Sequence, residues 1–351
     1  MSNSFGRQLH NPFPVISGAP VKQSLLGNCM DPAYPSIPVT KKMQLQNSRP
    51  GKSAIVVAQS LAGGLTLCTV ADFVRDTRHF PCENCIDFAL VSRYCIVLHT
   101  QNHQSSLAMY DLDTMQLQPQ VTIPLPLLVH QEAFLVAMDL PSPTQPALFY
   151  FAVVASNKVF IYCHGNNNTT EPSIADEINA PAEENILSAV FFSTPLGMML
   201  VLGTEGGELH FWNMQTHEFC LRCNPDVGPV TTVVVSQLSP CNLFAGGQTG
   251  IVSHVKLSGV VNESGKRTTI AVAKVERIES PPDDNEYDAV VSINFVQGCV
   301  YCVRDSSYMT QLTPDQCHIT AANDVFAMAS SPNGQAVVWC SEQYGMMLQE
   351  W

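Results

Sequence analysis

The chain contains 351 residues, of which 46% are hydrophobic and 13% are charged, and its formal net charge at pH 7 is −13. This length is enough for a substantial core, and so low a charged fraction excludes a chain that is disordered over most of its length. The acidic balance disfavours non-specific binding to nucleic acid or to an anionic membrane surface.

The apolar runs are too short to cross a bilayer. Residues 147–155 (ALFYFAVVA) form one of the longest, whereas a membrane-spanning helix needs about 20 residues. Residues 1–13 lack the apolar region of a signal peptide. Several of the thirteen cysteines lie within apolar, strand-like runs, where free thiols behave as small hydrophobes. We therefore expect a cytoplasmic or nuclear protein with no membrane span and no structural disulfide.

In chain order, residues 1–37 come first and combine Pro, Gly, Ser and Asn without an apolar period. They predict an irregular N-terminal arm. From residue 38 onward, short apolar runs alternate with turns, and no segment shows the apolar stripe of a helix. The runs group into seven units of similar pattern: residues 54–73, 86–116, 133–164, 186–219, 228–259, 289–312 and 324–351. Their spacing of roughly 35–50 residues is close to the period of propeller repeats.

Residues 203–219 (GTEGGELHFWNMQTHEF) resemble the end of a blade in the WD-repeat family. In that family the second strand ends in Gly-Ser, a tight turn follows, and the third strand ends in Trp-Asp. Five residues stand at the matching positions: Gly203, Thr204, Gly207, Trp212 and Asn213.

Further landmarks extend the resemblance over residues 38–351. Residues 188–197, 236–240 and 329–334 resemble the first strand and the Ser-Pro-Asp-Gly turn of the family. Tyr110-Asp111 and Tyr162 resemble its Trp-Asp ending. The resemblance implies an all-β fold, a single seven-bladed β-propeller with an N-terminal arm. An eight-bladed or incomplete ring remains an alternative.

The sequence departs from the family at its buried hydrogen-bond network. The turn Asp of the family falls on Gly206 or Thr249, and the His before the first strand is missing from most units. This predicts blades held by apolar packing. The last unit ends in its third run, so we expect its fourth strand to come from the arm, at residues 12–18 or 21–27, and to close the ring.

No constellation of residues indicates catalysis, so we predict a non-enzyme without a cofactor. The glycine turn at 203–207 precedes an alternating run rather than the helix that a phosphate loop requires. Cys-x-x-Cys pairs occur at 82/85, 220/223 and 299/302, but residues i and i+3 of a strand face opposite sides. Only Cys82 and Cys85, in an expected loop, remain as weak candidates for a metal site.

Two acidic segments are the most distinctive local feature. Residues 171–185 carry five acids and no base, and residues 276–288 carry six acids and one Arg. Both are expected to connect consecutive blades and to share one rim. The candidate partner-binding residues of this acidic rim are Glu171, Asp176, Glu177, Glu183, Glu184, Asp283, Asp284, Glu286 and Asp288. The alternative is that the loops are simply solvated.

These features predict a scaffold that binds other proteins within a multiprotein complex, through a basic segment of the partner. The basic residues of the chain's own arm are a competing occupant of the rim. Two other functions remain open: a propeller enzyme with a hydrolytic or metal-dependent site at the central channel, and a propeller subunit of an RNA-processing or nuclear-transport assembly. The acidic balance disfavours direct contact with nucleic acid.

Overall fold

The computed structural model describes most of the chain from residue 22 onward. The described residues are 22–27, 30–31, 34–38, 40–47, 54–60, 64–71, 74–80, 84–101, 104–112, 121–125, 132–139, 148–165, 172–180, 184–194, 197–236, 239, 241–261, 267–279, 288–296, 298–312, 319–322, 325–331, 334–341 and 345–350. Their regular elements are all β-strands.

The first three strands lie in the N-terminal region: β1 (Lys22–Gly27), β2 (Met30–Asp31) and β3 (Tyr34–Pro38). Blade 1 contains β4 (Thr40–Asn47), β5 (Ala54–Ser60), β6 (Leu65–Ala71) and β7 (Val74–His79). Blade 2 contains β8 (Cys85–Val91), β9 (Tyr94–Gln101), β10 (Gln104–Asp111) and β11 (Val121–Pro124). Blade 3 contains β12 (Phe134–Asp139), β13 (Phe149–Ala155), β14 (Lys158–His164) and β15 (Ser173–Asn179).

Blade 4 contains β16 (Ile186–Thr194), β17 (Gly197–Thr204), β18 (Leu209–Asn213) and β19 (Glu218–Cys223). Blade 5 contains β20 (Val230–Val235), β21 (Asn242–Gly247), β22 (Val252–Val261) and β23 (Arg267–Glu279). Blade 6 contains β24 (Val290–Val296), β25 (Cys299–Arg304), β26 (Met309–Leu312) and β27 (Ile319–Ala322). Blade 7 contains β28 (Val325–Ser330), β29 (Ala336–Ser341), β30 (Gly345–Glu350) and β1.

The seven sheets form a closed ring. Within blades 1 to 6 the strands pair in chain order, each antiparallel to the next. The first strands of successive blades contact one another, from β4 through β8, β12, β16, β20 and β24 to β28, and β28 contacts β4 again. The prediction of an all-β, seven-bladed propeller is therefore confirmed.

The core consists of layers between blades rather than a single centre. Consecutive residues of β9 show why: Val97 packs in the layer shared with blade 1, whereas Ile96 and Leu98 pack in the layer shared with blade 3. A strand buried on both faces needs an unbroken apolar run instead of an alternating one. The second strands of the blades have such runs because they lie between two neighbouring blades.

Strand β1 forms the outer edge of blade 7. It pairs antiparallel to β30, with Lys22 opposite Glu350 and Leu25 opposite Met347. The composition of residues 1–37 predicted an irregular arm, whereas 22–27, 30–31 and 34–38 are strands. The edge of β30 offers a row of unpaired backbone groups, and pairing with them outweighs the weak strand propensity of this segment. Residues 12–18, the other expected closing segment, lie outside the described residues.

One carboxylate joins three consecutive blades. Asp87 on β8 is 5% exposed, and both its oxygens lie 2.8 Å from Nζ of Lys42 on β4. Its Oδ2 also accepts a hydrogen bond of 2.7 Å from the backbone N–H of Leu135 on β12. The first strands of blades 1, 2 and 3 are thereby fixed to one another at a buried point.

We predict that Asp87→Ala lowers the free energy of unfolding by about 2–3 kcal/mol, because it removes the ion pair and leaves the buried Leu135 N–H without an acceptor. Urea denaturation measures the change. The control is Glu177→Ala, which removes the half-exposed contact with Lys158 and should cost less than about 1 kcal/mol. Equal effects of the two substitutions would show that Asp87 does not join the blades.

Deletion of residues 1–30 tests the closure by β1. We expect the melting temperature to fall by several degrees, because the deletion leaves the outer edge of β30 without its antiparallel partner. Differential scanning calorimetry at fixed protein concentration measures the shift. An unchanged melting temperature would mean that the pairing with β30 adds nothing to stability.

Candidate partner-binding surface

The strand order divides the ring into two ends. We call one end the connection face: here each fourth strand leads to the next blade, and each second strand turns into the third. In blades 4 to 6 its described parts include residues 184–185, 205–208, 224–229, 248–251, 288–289 and 305–308. The remaining turns within the blades lie at the opposite face.

The first acidic segment does not lie on one rim. Residues 173–179, expected in a loop, form β15, in which Ser173 pairs with Cys163 and Asn179 pairs with Lys158. The segment therefore runs along the outer side of blade 3, from the opposite face to the connection face. An outer strand tolerates this charge because its edge is exposed to solvent, and charges on it discourage pairing with other chains.

Two of the predicted acidic residues make polar side-chain contacts on the side of the ring. Oδ2 of Asp176 lies 2.7 Å from Nδ1 of His217, which belongs to the last turn of blade 4. Glu177 lies 4.0 Å from Lys158 on the neighbouring strand. Asp176 thus contacts the next blade instead of projecting from the rim.

The second acidic segment is also divided. Residues 276–279 belong to β23, and Asp288 begins the next described stretch at the connection face. The other predicted acidic residues lie outside the described residues: Glu171, Glu183, Asp283, Asp284 and Glu286. Their role in binding stays a prediction. The connection between blades 4 and 5 lies between the two acidic connections, so the acidic loops are not direct neighbours.

Asp288 and Glu184 are directed toward the tight turns of their own blades. The carboxylate of Asp288 accepts hydrogen bonds from the backbone N–H of Ser306, at 2.9 Å, and from its hydroxyl, at 2.7 Å. Glu184 covers the turn of blade 4 so closely that a Cβ placed on Gly206 would lie 2.5 Å from its Oε2. Of these two predicted binding residues, Asp288 therefore holds a turn of the fold through hydrogen bonds.

The turns of blades 4, 5 and 6 are built alike. In each, the backbone N–H that begins the turn donates to the connection before the first strand: Glu205 to Asn185 at 2.9 Å, Gln248 to Pro229 at 3.0 Å, and Asp305 to Ala289 at 2.9 Å. In each, the residue two positions later has a positive φ: Gly207, Gly250 and Ser307. The residue between them, at 206, 249 or 306, therefore occupies one equivalent position.

The contacts at this position replace those of the Asp that the WD-repeat family has in this turn. In blade 6 the carboxylate comes from the connection, at Asp288, and the turn supplies the donor, Ser306. In blade 5 the hydroxyl of Thr249 donates to the carbonyl of Val227 at 2.8 Å. The expectation that these blades rely on apolar packing alone is therefore wrong for blades 5 and 6. The sequence did not reveal these contacts because the acceptor is a backbone carbonyl in blade 5 and a carboxylate of the preceding connection in blade 6.

Two large apolar side chains are exposed at the connection face. Leu187 is 36% exposed and Val291 is 45% exposed. Each is the residue skipped by the register break near the start of its inner strand, β16 or β24. Thr231 takes the same place in blade 5, where its hydroxyl donates to the carbonyls of Gly246, at 3.1 Å, and Val290, at 2.7 Å. The sequence did not identify Leu187 and Val291 as exposed, because both lie within apolar runs of the kind that predicts buried strands.

Charged groups lie in the turns and in one connection of the same three blades. Glu205 and Asp305 are exposed in the tight turns of blades 4 and 6. Asp226, in the connection between blades 4 and 5, is 3.1 Å from the guanidinium of Arg277. The described part of the connection face of blades 4 to 6 thus has two exposed apolar side chains, with Thr231 at the matching place between them, and exposed carboxylates in the tight turns.

The weak metal candidate, Cys82 and Cys85, is described only at Cys85. Cys82 lies outside the described residues, and Cys85 is buried, with Sγ 3.5 Å from the carbonyl oxygen of Asp87. The described residues contain no group of three or more side chains that could hold a metal ion. In the second Cys-x-x-Cys pair, burial and, to a smaller extent, the charge of Glu208 raise the pKa of the Cys223 thiol to about 12. This disfavours the thiolate that metals require.

The described residues do not include a helix that is long and apolar enough to span a membrane.

We expect Asp288→Ala to lower the free energy of unfolding by about 1 kcal/mol, because it removes two hydrogen bonds that hold a tight turn near the surface. Asp288→Asn, which keeps an acceptor oxygen, should lose less. Asp305→Ala removes an exposed carboxylate from the same turn and serves as the control in urea denaturation. If Asp288→Ala is as stable as the control, the carboxylate is not needed by the turn.

No family model and no curated protein matches this chain. Among solved structures, it is similar to the β-propeller domain of Cps50 (Swd1) from Myceliophteria thermophila, with a TM-score of 0.59 and 12% identity, over 89% of this chain and 96% of that domain. In the present structure Gly203-Thr204 ends a second strand and Trp212-Asn213 ends a third strand, as the motif resemblance requires. The chain therefore has the fold of a seven-bladed β-propeller.

Proposed function

We propose that this protein is a non-catalytic scaffold subunit of a multiprotein complex, in the cytoplasm or nucleus, and that it binds a partner protein at the connection face of blades 4 to 6. The observation that carries the proposal is the exposed pair Leu187 and Val291, at matching positions two blades apart. Apolar side chains held by a rigid framework can serve as contacts for a partner without a large ordering cost.

The charged residues of the connection face indicate the chemistry of the partner. Glu205 and Asp305 place negative charge in the tight turns of the two blades that carry the apolar pair, and residues 280–287, which precede Asp288 in the chain, include three more acids. A segment with apolar residues and adjacent Lys or Arg residues would match both features. Charge complementarity of this kind speeds association and weakens as salt screens it.

The fold supports a scaffold role because neighbouring blades restrain one another. Asp87 joins blades 1 to 3, and Ser188 of blade 4 donates a hydrogen bond of 2.8 Å to the carbonyl of Val230 in blade 5. Loops on a framework of this kind keep their relative positions, which favours simultaneous contact with an extended partner.

The proposal predicts that Leu187→Asp combined with Val291→Asp abolishes capture of the partner set that the unmodified chain retains. Two carboxylates at the centre of the surface would remove the apolar contact and remain unpaired on binding. Affinity purification of the tagged full chain, followed by identification of co-purifying proteins, measures the loss. Retention of the same partners by the double variant would refute this surface.

The matched control is Ile174→Asp combined with Val275→Asp, since both residues are exposed apolar side chains on outer strands away from the apolar pair. It should keep the partner set.

A third variant, with Asp283, Asp284 and Glu286 changed to Lys, tests the contribution of the acidic charges to binding. It should weaken capture at low salt and differ less from the unmodified chain at moderate salt. Unchanged salt dependence would limit the proposal to the apolar contact.

A further inference from the structure

The apolar layer that blades 2 and 3 share, their seam, ends at the opposite face in three rings. They are Tyr94, the first residue of β9, Phe149, the first residue of β13, and His164, the last residue of β14. The ring centroid of His164 lies 5.3 Å from that of Tyr94, across the seam, and 4.7 Å from that of Phe149, its register partner. His164 therefore contacts a ring from each of the two blades.

His164 is buried in this cluster and one of its ring nitrogens lacks a partner. The residue is 5% exposed, and its buried Nδ1 meets no hydrogen-bond partner within the described part of the chain. A neutral imidazole needs a proton on only one nitrogen, whereas the charged form carries a proton on both. Protonation would therefore bury a charge, together with an N–H that has no acceptor, among aromatic rings.

Blade 2 adds a positive charge beside this ring. The guanidinium carbon of Arg93 lies 5.1 Å from the centroid of the Tyr94 ring, and its Nη2 lies 3.0 Å from the Tyr94 hydroxyl. Burial, and then the charge of Arg93, hold the pKa of His164 below its usual value of about 6.5. Asp111, the register partner of Tyr94, faces Arg93, with Oδ2 3.4 Å from Nε. Tyr162, two residues before His164 on β14, stays neutral because burial raises its pKa to about 12.

We propose that His164 makes the seam between blades 2 and 3 a pH-sensitive contact, closed around the neutral ring and loosened at the opposite face when acid protonates that ring. Toward the connection face the same seam does not depend on this histidine, because Asp87 of blade 2 accepts a hydrogen bond of 2.7 Å from the backbone N–H of Leu135 in blade 3. The loosening is therefore local. The inference concerns blades 2 and 3 and is independent of the partner surface on blades 4 to 6.

The direction of the pH effect follows from the lowered pKa of His164. Above about pH 6.5 the ring is neutral in both the closed and the open seam, so the contact has its full stability. As the pH falls below that value, the open form takes up the proton first, and the closed form loses stability until it is protonated as well. This loss begins before ordinary carboxylates, with pKa values near about 4, take up protons.

Hydrogen exchange of the full chain at about pH 7.5 and about pH 5.5, corrected for the intrinsic effect of pH on exchange, measures the opening of the seam. We expect residues 149–155 and 158–164 to lose protection at the lower pH by up to about tenfold relative to residues 197–204 of blade 4. This is the factor by which protonation of a group with a pKa near about 6.5 favours the open form one pH unit lower.

Two variants test the role of the histidine. His164→Phe keeps a ring in the cluster but cannot take up a proton, so it should abolish the relative loss of protection. His217→Asn changes an exposed histidine and should leave the loss in place. No relative loss in the unmodified chain, or an equal loss in His164→Phe, would overturn the proposal.

A second readout tests the charge of Arg93. The chain has ten histidines, and in a nuclear magnetic resonance titration the signal of His164 is identified by its loss in His164→Phe. Arg93→Gln keeps a donor beside Tyr94 without the charge, so it should raise the titration midpoint of His164 and reduce the loss of protection at about pH 5.5. If His164→Phe does not fold, the exchange comparison with Arg93→Gln decides, and an equal loss in that variant would overturn the proposal.

Discussion

The structure depends on one constraint: a four-stranded sheet with two apolar faces cannot bury both by itself. Each blade must be covered on either side by another blade, and only a closed ring covers all of them. The division of β9 between two layers, with Val97 facing blade 1 and its neighbours facing blade 3, shows this at the level of single residues. The connection face and the seam between blades 2 and 3 both follow from it, since each is formed by neighbouring blades.

Polar contacts fix the relative positions that apolar packing leaves adjustable. Hydrophobic burial is non-directional, so blades could slide over one another at little cost. Asp87 restrains blades 1 to 3, and Ser188 and Thr231 bind the backbone of the blade that follows their own. At the turns of blades 5 and 6, Thr249 and Ser306 each donate to the connection that precedes the first strand, to a backbone carbonyl in blade 5 and to the Asp288 carboxylate in blade 6. Acidity at a connection is therefore not sufficient evidence for a binding site.

The outer strands limit where partners can bind. β15 carries acids and a register break, β23 carries three register breaks, and β11 is short and ends in Pro124. Such features discourage the addition of a further strand at a sheet edge. This directs attention to contacts made by side chains, which is what the exposed Leu187 and Val291 offer.

The sequence by itself determined the fold class, the seven units and the ends of several strands, because apolar runs, turn residues and the landmarks at 203–213 are local signals. It could not determine which acids face solvent: Asp176, Glu184 and Asp288 look alike in the chain, yet each contacts a group that lies distant in sequence. Nor could it separate the exposed Leu187 and Val291 from the core residues around them, since a register break decides their exposure. Only the tertiary structure settled these points, because burial and pairing depend on which blade a strand meets, and that neighbour is set by ring closure rather than by local sequence.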